Sequence, residues 1–381
     1  MARPAWLSAN LVRLSWVSLL QDAASEMLYP LLPIFLNGVL GAPAIIVGAI
    51  ESAAEGMAAL TKLLSARINQ YLSKKTMVVS GYGLAAVGKL LIASATVWPV
   101  VMLARVVDRL GKGLRSASRD AVMLEGSKRE HRGKIIGFHR TADTLGAVVG
   151  PSIALFLLAL FSGDLRSVLW IAVIPAVLSV AVTFTVRDGS TATKRAKVIQ
   201  AEALPKNVKG LIWAIGLFSV ANFPDALILL HLSQTGWTVA EVVGAYLLYN
   251  LSTALLSYPA GLISDRVRPN IVYGFGVLCF SAAYGSLALV ESKTIELLLI
   301  VIYGVFAAVN DTVGKSWISK LAGDSGQLTA QSQLQGFSGF GVLVAGIWAG
   351  LAWGSYGIVP LAISSVVGLG VAIYVFSLRL K

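Results

Sequence analysis

Histidine, cysteine and charged residues are all scarce in this sequence, and each scarcity removes a class of explanation. The lone Cys279 rules out a disulfide within the chain, and its apolar neighbours predict a packed core thiol. Three scattered histidines with one cysteine supply neither a metal-ligand cluster nor a nucleophile–base set, so no metal, cofactor or enzymatic chemistry is expected. No G-x-x-x-x-G-K-S/T phosphate loop occurs, which excludes a motor driven by nucleotide hydrolysis. Charged residues make up only 13% of the chain against 56% hydrophobic ones, with a mean hydropathy of +0.76. Soluble domains carry about 25% charge, so the balance predicts an integral membrane protein instead.

Apolar runs alternate with short polar breaks, and each run can cross ~30 Å of hydrocarbon as a helix. The predicted spans are 11–36, 44–68, 76–94, 98–124, 134–161, 167–186, 209–232, 239–264, 270–290, 294–320, 328–352 and 356–378. The net charge of +12 follows this alternation. With the N-terminus inside, the cytoplasmic breaks hold twenty basic residues, among them Arg3, Arg129, Lys194, Arg195, Lys197, Arg379 and Lys381. The opposite side holds two, Arg166 and Lys293. Such a bias places both termini in the cytoplasm and makes the basic excess a topology signal, so no nucleic-acid partner is expected. No A-x-A-like cleavage site follows MARPAWLSANLVRLSW. The expectation is a multi-pass, monomeric protein of the cell (inner) membrane.

One predicted span is too charged to be an ordinary one. Leu103–Ala121 carries Arg105, Asp108, Arg109, Lys112, Arg115, Arg119 and Asp120. Ionisable groups at bilayer depth face a protein interior or a water-filled path. Arg105, Arg109, Lys112, Arg115 and Arg119 recur in steps of four, three, three and four, which is one helical stripe. The stripe predicts a polar cavity in a helix bundle that moves a small molecule across the bilayer.

The long polar segment Arg187–Gly210 separates six spans from six. The predicted domains are therefore 1–186, a cytoplasmic linker 187–209, and 210–381. DRLGK at Asp108–Lys112 recurs as DTVGK at Asp311–Lys315, and KLLSAR at Lys62–Arg67 as GLISDR at Gly261–Arg266. The offsets of 203 and 199 residues argue for an internal repeat. Paired six-helix halves are the plan of many secondary transporters.

GLISDRVR at Gly261–Arg268 resembles the loop signature of the major facilitator superfamily. LARVVDRLGKG resembles its fourth-helix signature, and GAVVGP at Gly146–Pro151 its fifth-helix glycine-proline signature. DRLGKGLRSASRDA followed by GFHRTADTLGAVVGP is similar to a bacterial, drug-efflux-like subgroup with a DRxGKGxRxxxRDA fourth helix. The resemblance implies an all-α fold of twelve transmembrane helices in two six-helix pseudo-repeats, working by alternating access. The first-half loop departs from the family, with Ala66 in place of its aspartate and Lys62 in place of its glycine.

The resemblance makes Gly261, Asp265, Arg266, Gly146, Gly150 and Pro151 candidate gating residues. Asp265 can pair with Arg266, with Arg268 or with a base on a neighbouring helix, as a latch or merely as a loop cap. Gly146 and Gly150 allow close helix approach, and Pro151 bends its helix. In the family that motif is associated with exporters.

The candidate cavity residues are the stripe and the intramembrane acids. Asp22 and Glu26 share a helix face, as do Glu51 and Glu55; Asp143 has His139 and Arg140 beside it. Carboxylates crowded in low dielectric cannot all stay ionised, which suits a proton-carrying site. Fixed pairing with the stripe, Lys62 or Lys89 is the structural alternative. In the second half, Asp225 follows Pro224, whose missing N–H should break the seventh span and free carbonyls to line the cavity. Asp311 and Lys315, one turn apart, are either cavity residues or partners of each other. These features predict proton-coupled export of a small charged or zwitterionic amphipathic molecule. Proton-symport uptake of an organic anion and a lipid flippase or scramblase remain as alternatives.

Overall fold

The computed structural model describes residues 6–69, 71–125, 127–128, 131–187 and 204–378. Most of the predicted linker 187–209 lies outside them, as do Arg3, Arg129, Lys194, Arg195, Lys197, Arg379 and Lys381; so does the side chain of Ala66. The described residues are almost wholly helical and contain no strand. The first six helices are α1 (Ala9–Leu28), α2 (Ala44–Ile68), α3 (Lys74–Ser94), α4 (Trp98–Leu124), α5 (Arg132–Leu160) and α6 (Leu165–Phe184). The rest are α7 (Lys206–Phe218), α8 (Asp225–Gln234), α9 (Val239–Arg266), α10 (Pro269–Leu287), α11 (Lys293–Val309), α12 (Lys315–Leu351) and α13 (Ile358–Ser377).

Local chemistry sets many of these limits. Ser8 and Ser73 accept the N–H of Leu11 and Thr76, and Asp164 accepts those of Arg166 and Ser167, so α1, α3 and α6 start where a side chain satisfies orphan donors. Thr238 and Glu241 form a reciprocal capping box at the start of α9, and Lys293 Nζ reaches Glu241 Oε2 at 2.7 Å. Pro30 and Pro33 lack a backbone N–H, and the first span accordingly stops at Leu28 and continues as a turn Leu32–Ile34 and a π-helical turn Phe35–Val39. The predicted break between the tenth and eleventh spans contracts to Gly323, whose φ of 66° kinks α12. Cys279 is half-buried, short of the packed core position expected for it.

Nine helices among the described residues are long and apolar enough to cross a membrane. Three predicted spans fall short for identifiable reasons. α1 carries Arg13, Asp22 and Glu26; α4 carries the charged stripe; the seventh span is split into α7 and α8, of 13 and 10 residues.

Two compact units divide the chain, one comprising 1–41 with 53–198 and the other 42–52 with 199–381. In the first, α1 packs on α5 and α6, and α3 on α4 and α6. The seam between α3 and α4 is glycine-lined. A Cβ on Gly111 would collide with the carbonyl oxygen of Gly81, and one on Gly88 with that of Ala104. In the second unit α10 packs on α13 and α11, and α9 on α11. There the N-terminal turns of α2 lie against α12: Ser52 Oγ donates to the Val342 carbonyl at 2.9 Å, and Gly48 faces Gly346.

Gly111→Val should lower the thermal unfolding midpoint of the purified protein, at a cost of roughly 1–3 kcal/mol for forcing α3 and α4 apart. Gly83→Ala, on the same helix as Gly81 but with open space around it, should leave the midpoint in place.

Candidate functional site

The fourth helix sorts its charges in two directions. Lys89 Nζ of α3 donates to Asp108 Oδ1 at 3.1 Å, and Arg105 Nη1 lies 3.6 Å from Asp108 Oδ2. All three are buried, Lys89 to 2% exposure, so their charges compensate one another where water cannot. Arg115 is turned the same way, its guanidinium 4.4 Å above the Tyr82 ring. Arg109 points instead to α2, with Nη2 3.2 Å from Glu55 Oε1. Gly113 makes that approach possible, because a Cβ there would strike Thr61 and the Ala58 carbonyl. Lys112 is the exposed base, in electrostatic range of Glu55 and Asp22. The stripe is thus not one cavity wall: Lys89, which sequence reasoning offered only as a neutralising partner, draws part of it into the α3–α4 seam. Glu51, one turn before Glu55, is buried and falls in the other compact unit.

The acids of α1 are placed by α5. The two helices run parallel with a constant offset of 124 residues: Ser15 faces His139, Asp22 faces Gly146 and Glu26 faces Gly150. A Cβ on Gly146 would meet Asp22 Cβ and the Leu19 carbonyl; one on Gly150 would meet Glu26 Cβ and the Ala23 carbonyl. The glycines of the GAVVGP motif therefore seat α5 directly on the turns that carry the two acids, and Pro151 lies within that helix. Asp143 is within electrostatic range of Asp22, as are Glu26, Arg115 and Lys112. His139 Nε2 lies 3.5 Å from Asp143 Oδ1.

In the second unit the seventh span breaks over 219–224, earlier than Pro224 alone requires, and Asp225 opens α8. Neighbouring helices supply donors to two of the freed carbonyls. Trp348 Nε1 donates to the Val220 oxygen at 2.7 Å, and the buried Ser364 Oγ donates to that of Ala221 at 2.6 Å. Asp225 Oδ1 accepts from the Tyr303 hydroxyl at 2.6 Å, and the Tyr249 ring stacks on Tyr303 at 5.3 Å. Lys315 pairs with Asp311 at 2.8 Å, both well exposed, beside the π-helical turn Asn310–Gly314. Asp265 pairs with Lys320 of α12 at 2.8 Å, so of the partners left open the neighbouring helix supplies it. Arg266 is exposed, and Gly261 has open space around it. Tyr303, Trp348, Ser364 and Lys320 were missed as partners, because in sequence they are ordinary members of apolar spans or a loop. Among the described residues no group of three His, Cys, Asp or Glu is placed to hold a metal.

Asp108→Asn should strand the Lys89 ammonium and cost about 3–5 kcal/mol of stability. The double variant Lys89→Met/Asp108→Asn should recover most of that loss, measured as thermal midpoints in one detergent.

A Major Facilitator Superfamily model matches residues 14–230, more than half the chain. The chain is 26% identical over 356 residues to an uncharacterized MFS-type transporter of Methanocaldococcus jannaschii, covering 91% of this chain and 89% of that one. An uncharacterized protein of Mycobacterium bovis is 25% identical over 140 residues, 36% of this chain and 34% of its own. Among solved structures, the nucleoside transporter NupG superposes with a TM-score of 0.77 at 15% identity, over 98% of this chain and 100% of that one. A bacterial homolog of the human lysosomal transporter Spinster, inward-facing and occupied, gives 0.78 at 14% identity over 98% and 97%. At such identities the superpositions establish the fold alone. With the family match and the full-length relative together, the chain belongs to the Major Facilitator Superfamily and is a multi-pass membrane transporter, not an enzyme.

Proposed function

We propose that the chain is a proton-coupled secondary transporter that exports a small charged or zwitterionic amphipathic molecule by alternating access. The carrying observation is the seating of Asp22 and Glu26 by Gly146 and Gly150, with Lys112 and Arg115 of α4 in electrostatic range of Asp22. A proton taken up by either acid changes the charge that the neighbouring bases present to a substrate. Proton and substrate then alter each other's affinity by one reciprocal factor, which is what coupling requires. Groups of both signs at the site favour a substrate carrying both, and the glycine-proline motif of α5 supports export by resemblance. Asp225, held by Tyr303, is the second candidate contact. The distribution of basic residues supports cytoplasmic termini in the cell membrane, and the polar segment 187–209 two six-span halves.

Reconstituted protein under an imposed pH gradient tests this reading, with a substrate first found by thermal shift against organic ions, zwitterions and lipids. Wild type should accumulate the hit against its gradient; Glu26→Gln and Asp22→Asn should bind it with no pH dependence and lose accumulation. Gradient-driven flux persisting in both variants would move these acids to a structural role. Flux of an organic anion in the direction of the proton would establish uptake instead, and gradient-independent lipid redistribution a scramblase.

Asp265 and Lys320 are proposed as a latch on the loop that ends α9. Asp265→Asn should slow substrate exchange several-fold while the unfolding midpoint stays put, since exposed pairs contribute only about 0–1 kcal/mol to stability. Wild-type exchange in that variant would leave only the loop-capping role.

A further inference from the structure

Two helices flank Asp22, α4 and α5, and the faces they turn toward it differ in charge. On the α4 side Lys112 and Arg115 are in electrostatic range of Asp22, and their like charge opposes an approaching proton. On the α5 side the order, from the Arg132 end inward, is His139, Asp143, and then Gly146 against Asp22. His139 is 3% exposed, and its Nδ1 lies 3.4 Å from Ser15 Oγ of α1. Its Nε2 and Asp143 Oδ1 are 3.5 Å apart, and neither of these two buried atoms has a hydrogen bond. Two polar atoms that face each other within reach, unbonded and out of water, are costly to a fold that needs them only for packing.

We propose that Ser15, His139 and Asp143 form a proton relay that connects the Arg132 end of α5 with Asp22. The proposal rests on the proton-coupled reading above. From His139 to Gly146, which faces Asp22, is seven residues, or about 10 Å along the helix, roughly a third of the hydrocarbon thickness. In the loading direction, water gives a proton to Ser15 Oγ as that hydroxyl passes its own to His139 Nδ1. The imidazolium gives up its Nε2 proton: the N–H bond breaks with its electron pair left on nitrogen, and an O–H bond forms at Asp143. Asp143 hands that proton to the Asp22 carboxylate, directly or through one water, and the neutral ring, left as its Nδ1–H tautomer, resets when Nδ1 loses that proton to water and Nε2 gains one. One proton moves, and nothing is oxidised or reduced.

The charged surroundings of the relay fit transient occupancy. Arg119 and Asp120 of α4 and Arg140 of α5 act on His139 together with Asp143. Arg119 is engaged elsewhere, by Asp120 at 3.0 Å and by Ser18 Oγ at 3.0 Å, so it sets the field without closing the path. Glu26, Lys112 and Arg115 complete the groups that face Asp22.

A relay controls the rate at which Asp22 equilibrates with solvent and leaves the equilibrium alone. Time-resolved infrared spectroscopy after a pH jump reads this on purified protein in nanodiscs, without any substrate. The protonated carboxyl band abolished by Asp22→Asn is the signal. In His139→Gln and Asp143→Asn that band should reach wild-type amplitude roughly 100-fold more slowly, the scale of one positioned proton-transfer group. Imidazole in the buffer should restore the rate of His139→Gln, and Ser15→Ala, a smaller perturbation of packing, should also be slow. Wild-type rates in both His139→Gln and Asp143→Asn would overturn the relay while Asp22 remained the coupling acid. Slowing that imidazole fails to relieve, together with a lowered unfolding midpoint, would make His139 a packing residue and overturn the relay too. If wild type shows no band that depends on Asp22, the proton-coupled reading falls and takes the relay with it.

Discussion

Charge placed at membrane depth has to be answered by charge, because low dielectric and missing water leave a lone ion uncompensated. The pairing of Lys89 with Asp108, reinforced by Arg105, is where this protein meets that demand most completely. It fixes the rotation of α4 against α3. Once that rotation is set, Arg109 has to project toward Glu55 of α2, and Lys112 is carried to the exposed side within range of Asp22. The candidate functional face of α4 is thus what remains of its charge after the structural pair has been formed.

Close helix approach does the rest of the positioning, and glycine permits it. Gly81, Gly88 and Gly111 let α3 and α4 meet at backbone distance, which brings Lys89 to Asp108. Gly146 and Gly150 do the same for α5 and α1, and keep one offset over the turns from Ser15 to Glu26. A parallel pair in constant register turns periodicity along each helix into a ladder of facing residues. Serine meets histidine on one rung, and the acids meet glycines on others. The same packing that holds the two acids also lines up the groups of the proposed relay.

The two units solve equivalent problems differently. Asp108 and Asp311 occupy matching places in the repeated motif, yet the first takes a buried lysine from another helix and the second an exposed lysine on its own chain segment. Where the first unit buries its ion pair, the second keeps its pairs exposed and completes hydrogen bonds inside. The break between α7 and α8 leaves carbonyls without intrahelical donors, and Trp348 and Ser364 supply them. Asp225 is held at the start of α8 by a tyrosine hydroxyl.

Most of the fold was legible in the sequence because the bilayer imposes it. Length and hydropathy of a run decide whether it spans, and the limits of α2 and α4 coincide with the predicted 44–68 and 98–124. Residue type at a marked position was legible too: Pro224 announced a broken helix, and the glycine-proline motif announced a tight contact. What the sequence by itself determined is therefore the membrane class, the order of the spans and which residues carry charge inside them. Only the tertiary structure decided partners, since a partner depends on helix rotation and register, and neither leaves a local trace. Lys320 lies 55 residues from Asp265, and His139 lies 124 from Ser15. A five-base stripe reads as one surface on a helical wheel, but a neighbouring lysine or tyrosine divides it as soon as a second helix is packed against it.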